Sequence, residues 1–205
     1  MLQNRIDPWG NIIYTPARGA WMGNRGILHD ERKTILRPFL LKAWITCKLS
    51  FNGRKRQVMM PHRYTELFFL DEATAFAAGH RPCFECRRQD HNRFKAHWLK
   101  GNPEYGFNDR TSIQEVDKLL HTERIGRDRS KITFTTAADE LPDGAMILLN
   151  GNAQLVYGQS LHQWTPFGYE KTAHLPAGSH VTVLTPRSVI NAFKAGYIPQ
   201  MAIIP

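Results

Sequence analysis

Alternating apolar and polar positions divide the first part of the chain into short strands. Four apolar or β-branched runs predict strands at residues 12–14, 43–51, 56–60 and 67–70. Asn52-Gly53 separates the second run from the third, and an Asn-Gly pair between two such runs is a strong signal for a β-hairpin. We therefore predict a hairpin that carries Cys47 on its first strand and a basic tip at residues 54–56.

Three helices are expected to follow. Asp71 is a typical N-cap for a short helix over residues 72–78, and Gly79 stands at the position that ends it. A second helix is predicted over residues 83–100, directly after Pro82. The third is capped by Thr111 or Ser112 and ends near Gly126. The residues that form its apolar face are Ile113, Val116, Leu119 and Leu120.

Short strands dominate the remaining residues. The runs 132–135, 146–149, 154–157 and 162–164 are separated by turn residues and predict a β-meander. A last strand at 180–184 leads into a helix opened by Thr185-Pro186. The expected fold class is α+β, with a basic part, residues 1–131, and a mainly β part, residues 132–205. These are two domains or two halves of one compact domain.

Composition narrows the class of protein. Hydrophobic residues make up 42% and charged residues 22% of the chain, which is typical of a globular protein rather than of a disordered chain or a coiled coil. No apolar run is long enough to span a membrane, and the first ten residues lack the apolar segment of a signal peptide. We therefore expect a cytoplasmic protein.

The positive charge is unevenly distributed. The chain carries a net charge of +9, of which residues 1–131 contribute +10 and residues 132–205 contribute −1. A basic region of this kind is typical of proteins that bind a polyanion, most simply nucleic acid. We expect DNA rather than RNA as the partner.

The densest chemistry lies in Cys83-Phe84-Glu85-Cys86. A Cys-x-x-Cys pair at a turn that enters a helix can direct both thiolates to one zinc ion. Cys47 is the only other cysteine, and the predicted hairpin can bring it to the pair. We predict His80 as the fourth ligand, with His62 and His91 as alternatives. The alternatives to a metal site are a thioredoxin-like redox pair and buried thiols; three cysteines do not indicate a disulfide framework.

The sequence resembles two protein families, of which only the first bears on the metal site and its partner. Residues 68–86, which include Ala-rich 73–78 and Arg81-Pro82-Cys83-x-x-Cys86, resemble the second half of the Ada-type metal-binding module. That resemblance implies that Cys83 and Cys86 are zinc ligands and that the protein contacts DNA in a methyl-damage response. The family's first cysteine pair has no counterpart here, so methyl transfer is not implied. The whole chain is also similar to an uncharacterised bacterial protein family, through residues 22–26, 63–69 and 184–186.

Basic side chains near the predicted zinc are the candidate nucleic-acid ligands. They would bind backbone phosphates, as is typical of Lys and Arg clusters. The predicted phosphate-binding residues are Arg54, Lys55, Arg56, Arg81, Arg87, Arg88 and Arg93. Candidates for base stacking on the second helix are Phe84, Phe94, His97 and Trp98, although Phe94 and Trp98, four residues apart, are more typical of a core stripe.

An enzyme is the alternative function. Asp117 and His121 lie one helical turn apart, where the carboxylate can orient the imidazole as a general base, and the helix pattern predicts that both face the surface. Glu66, beside an apolar strand, is a second candidate carboxylate. A hydrolase or nuclease-like activity would use these residues; a protein-interaction module is a further alternative. The loop over residues 23–26 is also a candidate for holding a phosphate through its backbone amides.

Overall fold

The computed structural model describes residues 1–53, 57–175 and 178–203. These residues form two six-stranded sheets and four α-helices, which confirms the α+β class. The strands are β1 (Gln3–Ile6), β2 (Ile12–Tyr14), β3 (Trp21–Asn24), β4 (Ile45–Cys47), β5 (Leu67–Phe69), β6 (Arg81–Pro82), β7 (Phe134–Ala137), β8 (Met146–Leu149), β9 (Asn152–Tyr157), β10 (Ser160–Thr165), β11 (Gly168–His174) and β12 (His180–Val183). The helices are α1 (Glu72–Ala77), α2 (Arg88–Gly101), α3 (Ile113–Arg124) and α4 (Arg187–Lys194). No helix within these ranges has the length and apolar character needed to cross a membrane.

The first sheet has the strand order β2-β1-β5-β3-β4-β6. It is mixed, because β1 pairs with β5 and β4 pairs with β6 in parallel, whereas its other pairs are antiparallel. The parallel pair at its edge brings residues far apart in sequence next to each other, since Thr46 of β4 lies opposite Pro82 of β6. Cys47 is the last residue of β4, and Cys83 follows β6 directly.

The hairpin predicted around Asn52-Gly53 is not among the described strands. β4 ends at Cys47, and both of its edges are occupied, one by β3 and the other by β6. Residues 57–66 form turns and irregular backbone instead of a returning strand. The hairpin prediction is therefore wrong for this region, because β4 has no free edge to offer. The predicted basic tip, residues 54–56, lies outside the described residues.

The second sheet is an antiparallel meander with the order β11-β10-β9-β8-β12-β7. The meander and the helix α4 that follows it agree with the prediction. Strand β11 was not predicted, and most of its residues are exposed at the edge of the sheet. A polar edge strand lacks the apolar alternation that identifies strands in a sequence.

The helix boundaries follow local capping chemistry. Asp71 caps α1 by accepting a hydrogen bond from the backbone N–H of Thr74, and Ser112 caps α3 by accepting from Gln114. Helix α2 begins at Arg88, five residues later than predicted, because the chain from Cys83 first forms a turn in which the Arg87 N–H donates to the Cys83 carbonyl. That turn holds both cysteines of the pair.

Helix α1 is buried on every side and connects the two parts of the chain. Ala75 packs against residues of the first sheet, and Ala73 packs against residues of the second. Phe76 points into a third cluster, formed with α2, α3 and α4. Alanine at these positions lets neighbouring backbones approach closely. Residues 1–131 and 132–205 therefore share hydrophobic clusters around α1.

Replacing Gly79 with alanine should destabilise the fold by about 2–3 kcal/mol, measured by chemical denaturation. Gly79 follows α1 with φ +87°, and a Cβ there would overlap the buried side chain of Arg124. Gly151→Ala is the matched control, since Gly151 has φ +79° but no atom within 4 Å of an added Cβ. That variant should cost only about 1 kcal/mol, the backbone strain alone. Equal losses in both variants would show that contact with Arg124 contributes nothing.

Candidate metal centre

The sulfur atoms of Cys47, Cys83 and Cys86 all lie within 4.8 Å of one another. Each of the three side chains is buried, and none is in a disulfide. Among the described residues they are the one group of His, Cys, Asp or Glu side chains close enough to share a metal ion. The predicted convergence of Cys47 on the Cys-x-x-Cys pair is confirmed, although no hairpin produces it.

Parallel pairing of β4 and β6 positions the cluster. The backbone N–H of Cys83, directly after β6, donates to the carbonyl of Thr46 at 2.9 Å. This bond places Cys83 beside Cys47, the last residue of β4. The turn over residues 83–87 then returns Cys86 to the same point. The cluster is thus built by a strand pair between residues about 36 positions apart and by one local turn.

Backbone N–H groups point at two of the sulfur atoms. Those of Glu85 and Cys86 donate to the Cys83 sulfur, and that of Lys48 donates to the Cys86 sulfur. A hydrogen bond with the Cys47 thiol, followed by these backbone bonds, lowers the pKa of Cys83 to about 5. The same Cys47–Cys83 bond and burial raise the pKa of Cys47. The cluster therefore favours a thiolate at Cys83.

The donor set fits zinc. Thiolates are preferred zinc ligands, and a tetrahedral site with Zn–S bonds of about 2.3 Å has sulfur atoms about 3.8 Å apart. Separations of at most 4.8 Å need only a small contraction to reach that value. A cavity of about 220 Å³ adjoins the three cysteines, and its walls include Glu66 and Lys48. Three protein ligands and an adjoining cavity leave room for a fourth ligand beside the cysteines.

His80, predicted as the fourth ligand, lies outside the sulfur cluster. Its Nε2 atom accepts a hydrogen bond from Nε of Arg25 at 3.1 Å, and its ring packs against Phe69 and Trp44. Burial, together with Arg25 and Arg124, holds the pKa of His80 well below its usual value, so the ring is neutral. The lone pair on Nε2 of His80 is therefore already used by the hydrogen bond from Arg25, and this atom is not free to bind a metal ion.

The two alternative histidines also lie outside the cluster. His62 is exposed, and its Nε2 atom lies 3.5 Å from Glu31. His91 is buried in α2, where its Nδ1 atom is 3.1 Å from the carbonyl of Pro82. Burial lowers the pKa of His91. None of the three predicted histidines joins the cysteines in the described part of the chain.

Two of the predicted phosphate ligands are buried in ion pairs. Arg81 binds both carboxylate oxygens of Asp117, at 2.7 and 2.6 Å. Arg87 binds Glu72 at 2.5 Å and lies over the ring of Trp21. Because these guanidinium groups are buried and already paired with carboxylates, the structure does not present them to a phosphate backbone.

Arg88 and Arg93 are exposed on α2. Arg88 lies over the ring of Phe84, 4.4 Å from its centroid, and Arg93 lies over Tyr197 and 3.5 Å from Asp90. The remaining predicted phosphate ligands, Arg54, Lys55 and Arg56, lie outside the described residues. The core prediction for Phe94 and Trp98 is confirmed, since both are fully buried.

Asp117 and His121, the proposed catalytic pair on α3, interact with two different arginines and not with each other. Asp117 is buried at 2% exposure and not surface-directed as predicted, because Arg81 draws it inward. His121 instead lies 3.0 Å from Nη2 of Arg124. Burial, followed by the charges of Arg124 and Lys42, lowers the pKa of His121 to about 4. A neutral imidazole beside a guanidinium is not oriented by Asp117.

Glu66, unlike Asp117 and His121, lines the cavity that adjoins the cysteines. Its Oε2 atom accepts a hydrogen bond from the backbone N–H of Met59 at 2.8 Å, and the side chain is buried. A catalytic role for Glu66 stays a prediction.

The loop over residues 23–26 uses its backbone differently from the prediction. The N–H of Gly26 donates to the Asn24 side chain at 2.7 Å, so this amide is already bonded. The side chain of Arg25 turns inward and lines a second cavity together with Arg124 and Lys131. No spacing pattern in the sequence links Arg25, Arg124 and Lys131. The one sequence feature that pointed to this part of the protein was the glycine-rich loop around Arg25.

Comparisons of the chain with protein-family models, with curated proteins and with solved structures found no match. The resemblance of residues 68–86 to the Ada-type module, and that of the whole chain to a bacterial family, stay predictions.

Proposed function

We propose that the protein is a zinc-stabilised nucleic-acid-binding protein that acts in DNA metabolism or repair. The observation that carries the proposal is the cluster of Cys47, Cys83 and Cys86 directly beside the exposed basic face of α2. Zinc would be held by the three thiolates, and its chemistry there is to fix the strand end and the turn in one position.

The outward face of α2 supplies the phosphate contacts. Its exposed residues are Arg88, Gln89, Asn92, Arg93, Ala96 and Lys100. Asp90 is the only acidic residue in the helix, and it pairs with Arg87 and Arg93. The face is therefore basic and polar, as is typical of surfaces that follow a phosphate backbone.

Phe84 supplies an aromatic surface at the metal end of this face. It lies between the two cysteines of the pair and is 50% exposed, and only one other phenylalanine of the described residues, Phe167, is exposed. Arg88 covers one part of its ring. An exposed aromatic ring next to a guanidinium is typical of sites where an unpaired base stacks. Zinc at the cysteines would hold this ring in a fixed orientation.

Binding to labelled duplex DNA, single-stranded DNA and RNA, followed by fluorescence anisotropy across a salt series, tests the proposal. Log affinity should fall linearly with log salt. The double variant Arg88→Ala/Arg93→Ala should reduce the slope by up to about 2, since each lost phosphate contact removes about 0.9.

The matched control is Arg110→Ala/Lys118→Ala, which removes the same charge from exposed positions at and before α3. That control should leave the slope nearly unchanged. Binding that does not respond to salt, or equal changes in both double variants, would contradict the assignment of the α2 face.

A further inference from the structure

The second cavity has a volume of about 480 Å³ and is lined by basic side chains without a single carboxylate among the described residues. Its basic residues are Arg25, Arg37, Arg124, Arg129 and Lys131. They come from the segment after β3, from the end of α3 and from the loop after it. The size lies in the range of pockets that hold small organic ligands.

Two of these cations are fully buried, which is costly unless an opposite charge compensates them. Arg25 is 0% and Arg124 is 2% exposed. Both guanidinium groups lie over the ring of Trp44, at 3.9 and 4.0 Å from its centroid. Two like charges therefore share one aromatic side chain at the cavity wall.

Neutral carbonyl groups accept most of the hydrogen bonds of these cations. Arg25 donates to the carbonyl of Gly10 at 2.9 Å, Arg124 donates to that of Gly79 at 2.7 Å, and the ammonium group of Lys131 donates to that of Ala77. Carbonyl oxygens accept the hydrogen bonds of these side chains, but they do not neutralise the positive charges.

The nearby carboxylates do not supply enough negative charge to balance Arg25, Arg124 and Lys131. Asp7 acts on Arg25 and Lys131, and Asp117 acts on Arg124. Asp117, however, already binds Arg81 with both oxygens. Burial, and to a smaller extent the charges of Arg25 and Arg124, lower the pKa of Lys131 to about 7.

Two buried donors have no partner in the described part of the chain. They are Nη2 of Arg25 and Nε of Arg124. Buried donors that point to nothing are rare in folded proteins and call for an explanation. Both belong to cations that line the same cavity, and an anion bound there would supply the negative charge that these cations lack.

From this geometry we infer that the cavity binds the terminal phosphate group of a small phosphorylated organic ligand of about mononucleotide size. Guanidinium groups match the geometry of phosphate oxygens. The walls beside the cations are apolar, with Trp9, Ile12 and Leu36, which suits the organic part of the ligand better than a free ion. The site is separate from the cysteine cluster and from the exposed face of α2.

Calorimetric titration with adenosine monophosphate, adenosine and inorganic phosphate tests the inference. The monophosphate should bind, adenosine should not, and inorganic phosphate should bind more weakly than the monophosphate. The melting temperature should rise with the monophosphate, because ligand binds the folded state alone. Equal binding of adenosine, or no binding of either phosphate, would overturn the inference.

Variants at Lys131 and Arg129, which are both more exposed than Arg25, carry less risk of a loss of folding than changes at Arg25. Lys131→Met should weaken monophosphate affinity about 10–100-fold, the usual effect of removing a charge-assisted hydrogen bond. Arg129→Ala, which changes an exposed residue, should weaken it less and in the same direction. Arg110→Ala, exposed and away from the cavity lining, is the control. Unchanged affinity in both cavity variants would overturn the inference.

Competition identifies the source of the phosphate. A short oligonucleotide with a 5′-phosphate should displace the monophosphate if the site accepts strand ends, and should fail to do so if it accepts only free nucleotides. Displacement by the unphosphorylated oligonucleotide would show that the cavity does not recognise a terminal phosphate and would overturn the inference. Arg88→Ala/Arg93→Ala should bind the monophosphate normally, so failure of the α2 face and failure of this cavity are distinguishable.

Discussion

Cys83→Ser should abolish stoichiometric zinc binding and lower the melting temperature by about 8–16 °C. Cys83 is the sulfur to which two backbone N–H groups and the Cys47 thiol donate, so it is the thiolate around which the cluster is organised. A ligand present at about 1,000 times its dissociation constant stabilises a folded protein by about 4 kcal/mol. In a protein of this size, each kcal/mol corresponds to about 2–4 °C.

Metal analysis by mass spectrometry and thermal unfolding measure the two effects. The control is the wild-type protein stripped of metal with a chelator, which should melt at about the same temperature as the metal-free Cys83→Ser variant. A wild-type protein without bound zinc, or a variant that keeps it, would refute the ligand assignment. A variant far less stable than the stripped wild type would show that the cysteine acts through packing.

Asp117→Ala should destabilise the protein by about 3–5 kcal/mol, because it leaves the guanidinium of Arg81 buried without its counter-ion. The Arg81–Asp117 pair is bidentate, with both side chains at most 5% exposed. The corresponding fall in melting temperature is about 6–20 °C. Urea denaturation gives the free energy of unfolding directly.

Glu115→Ala is the matched control on the same helix. Glu115 forms an exposed pair with Lys118 at 2.7 Å, and exposed pairs contribute about 0–1 kcal/mol. The double variant Arg81→Met/Asp117→Leu removes both buried charges and should recover most of the loss. If the double variant is less stable than Asp117→Ala, the unpaired Arg81 is not the cause of the loss.

Local signals in the sequence predicted most of the helices and the meander. Asp71 and Gly79 bracket α1, and Ser112 begins α3, because capping depends on residues within one turn. The first sheet was predicted less well. Its order depends on the parallel pairing of β4 with β6, between residues about 36 positions apart, which no local pattern encodes. The Asn52-Gly53 turn signal therefore suggested a hairpin partner for β4 that the fold does not use.

The residues of the candidate metal site, like the fold, could be predicted only in part from the sequence. Cys-x-x-Cys spacing identified Cys83 and Cys86, and Cys47 followed because it was the third cysteine available. His80 was chosen for its nearness in sequence, but the direction of its ring depends on Arg25, which lies 55 positions away. Arg81 and Arg87 were read as surface cations, because a sequence shows charge but not the buried carboxylate that pairs with it.

Helix α1 also bears on the order in which the chain can fold during synthesis. Its N-terminal carboxylates accept hydrogen bonds from the far end of the chain: Asp71 from the backbone N–H of Ala202, and Glu72 from that of Gln200. These partners lie 131 and 128 positions later. The buried helix at the centre of the molecule therefore stays incompletely bonded while most of the chain is already outside the ribosome. Its full set of hydrogen bonds can form only after residues 200–202 have left the ribosome, so α1 completes its native contacts late.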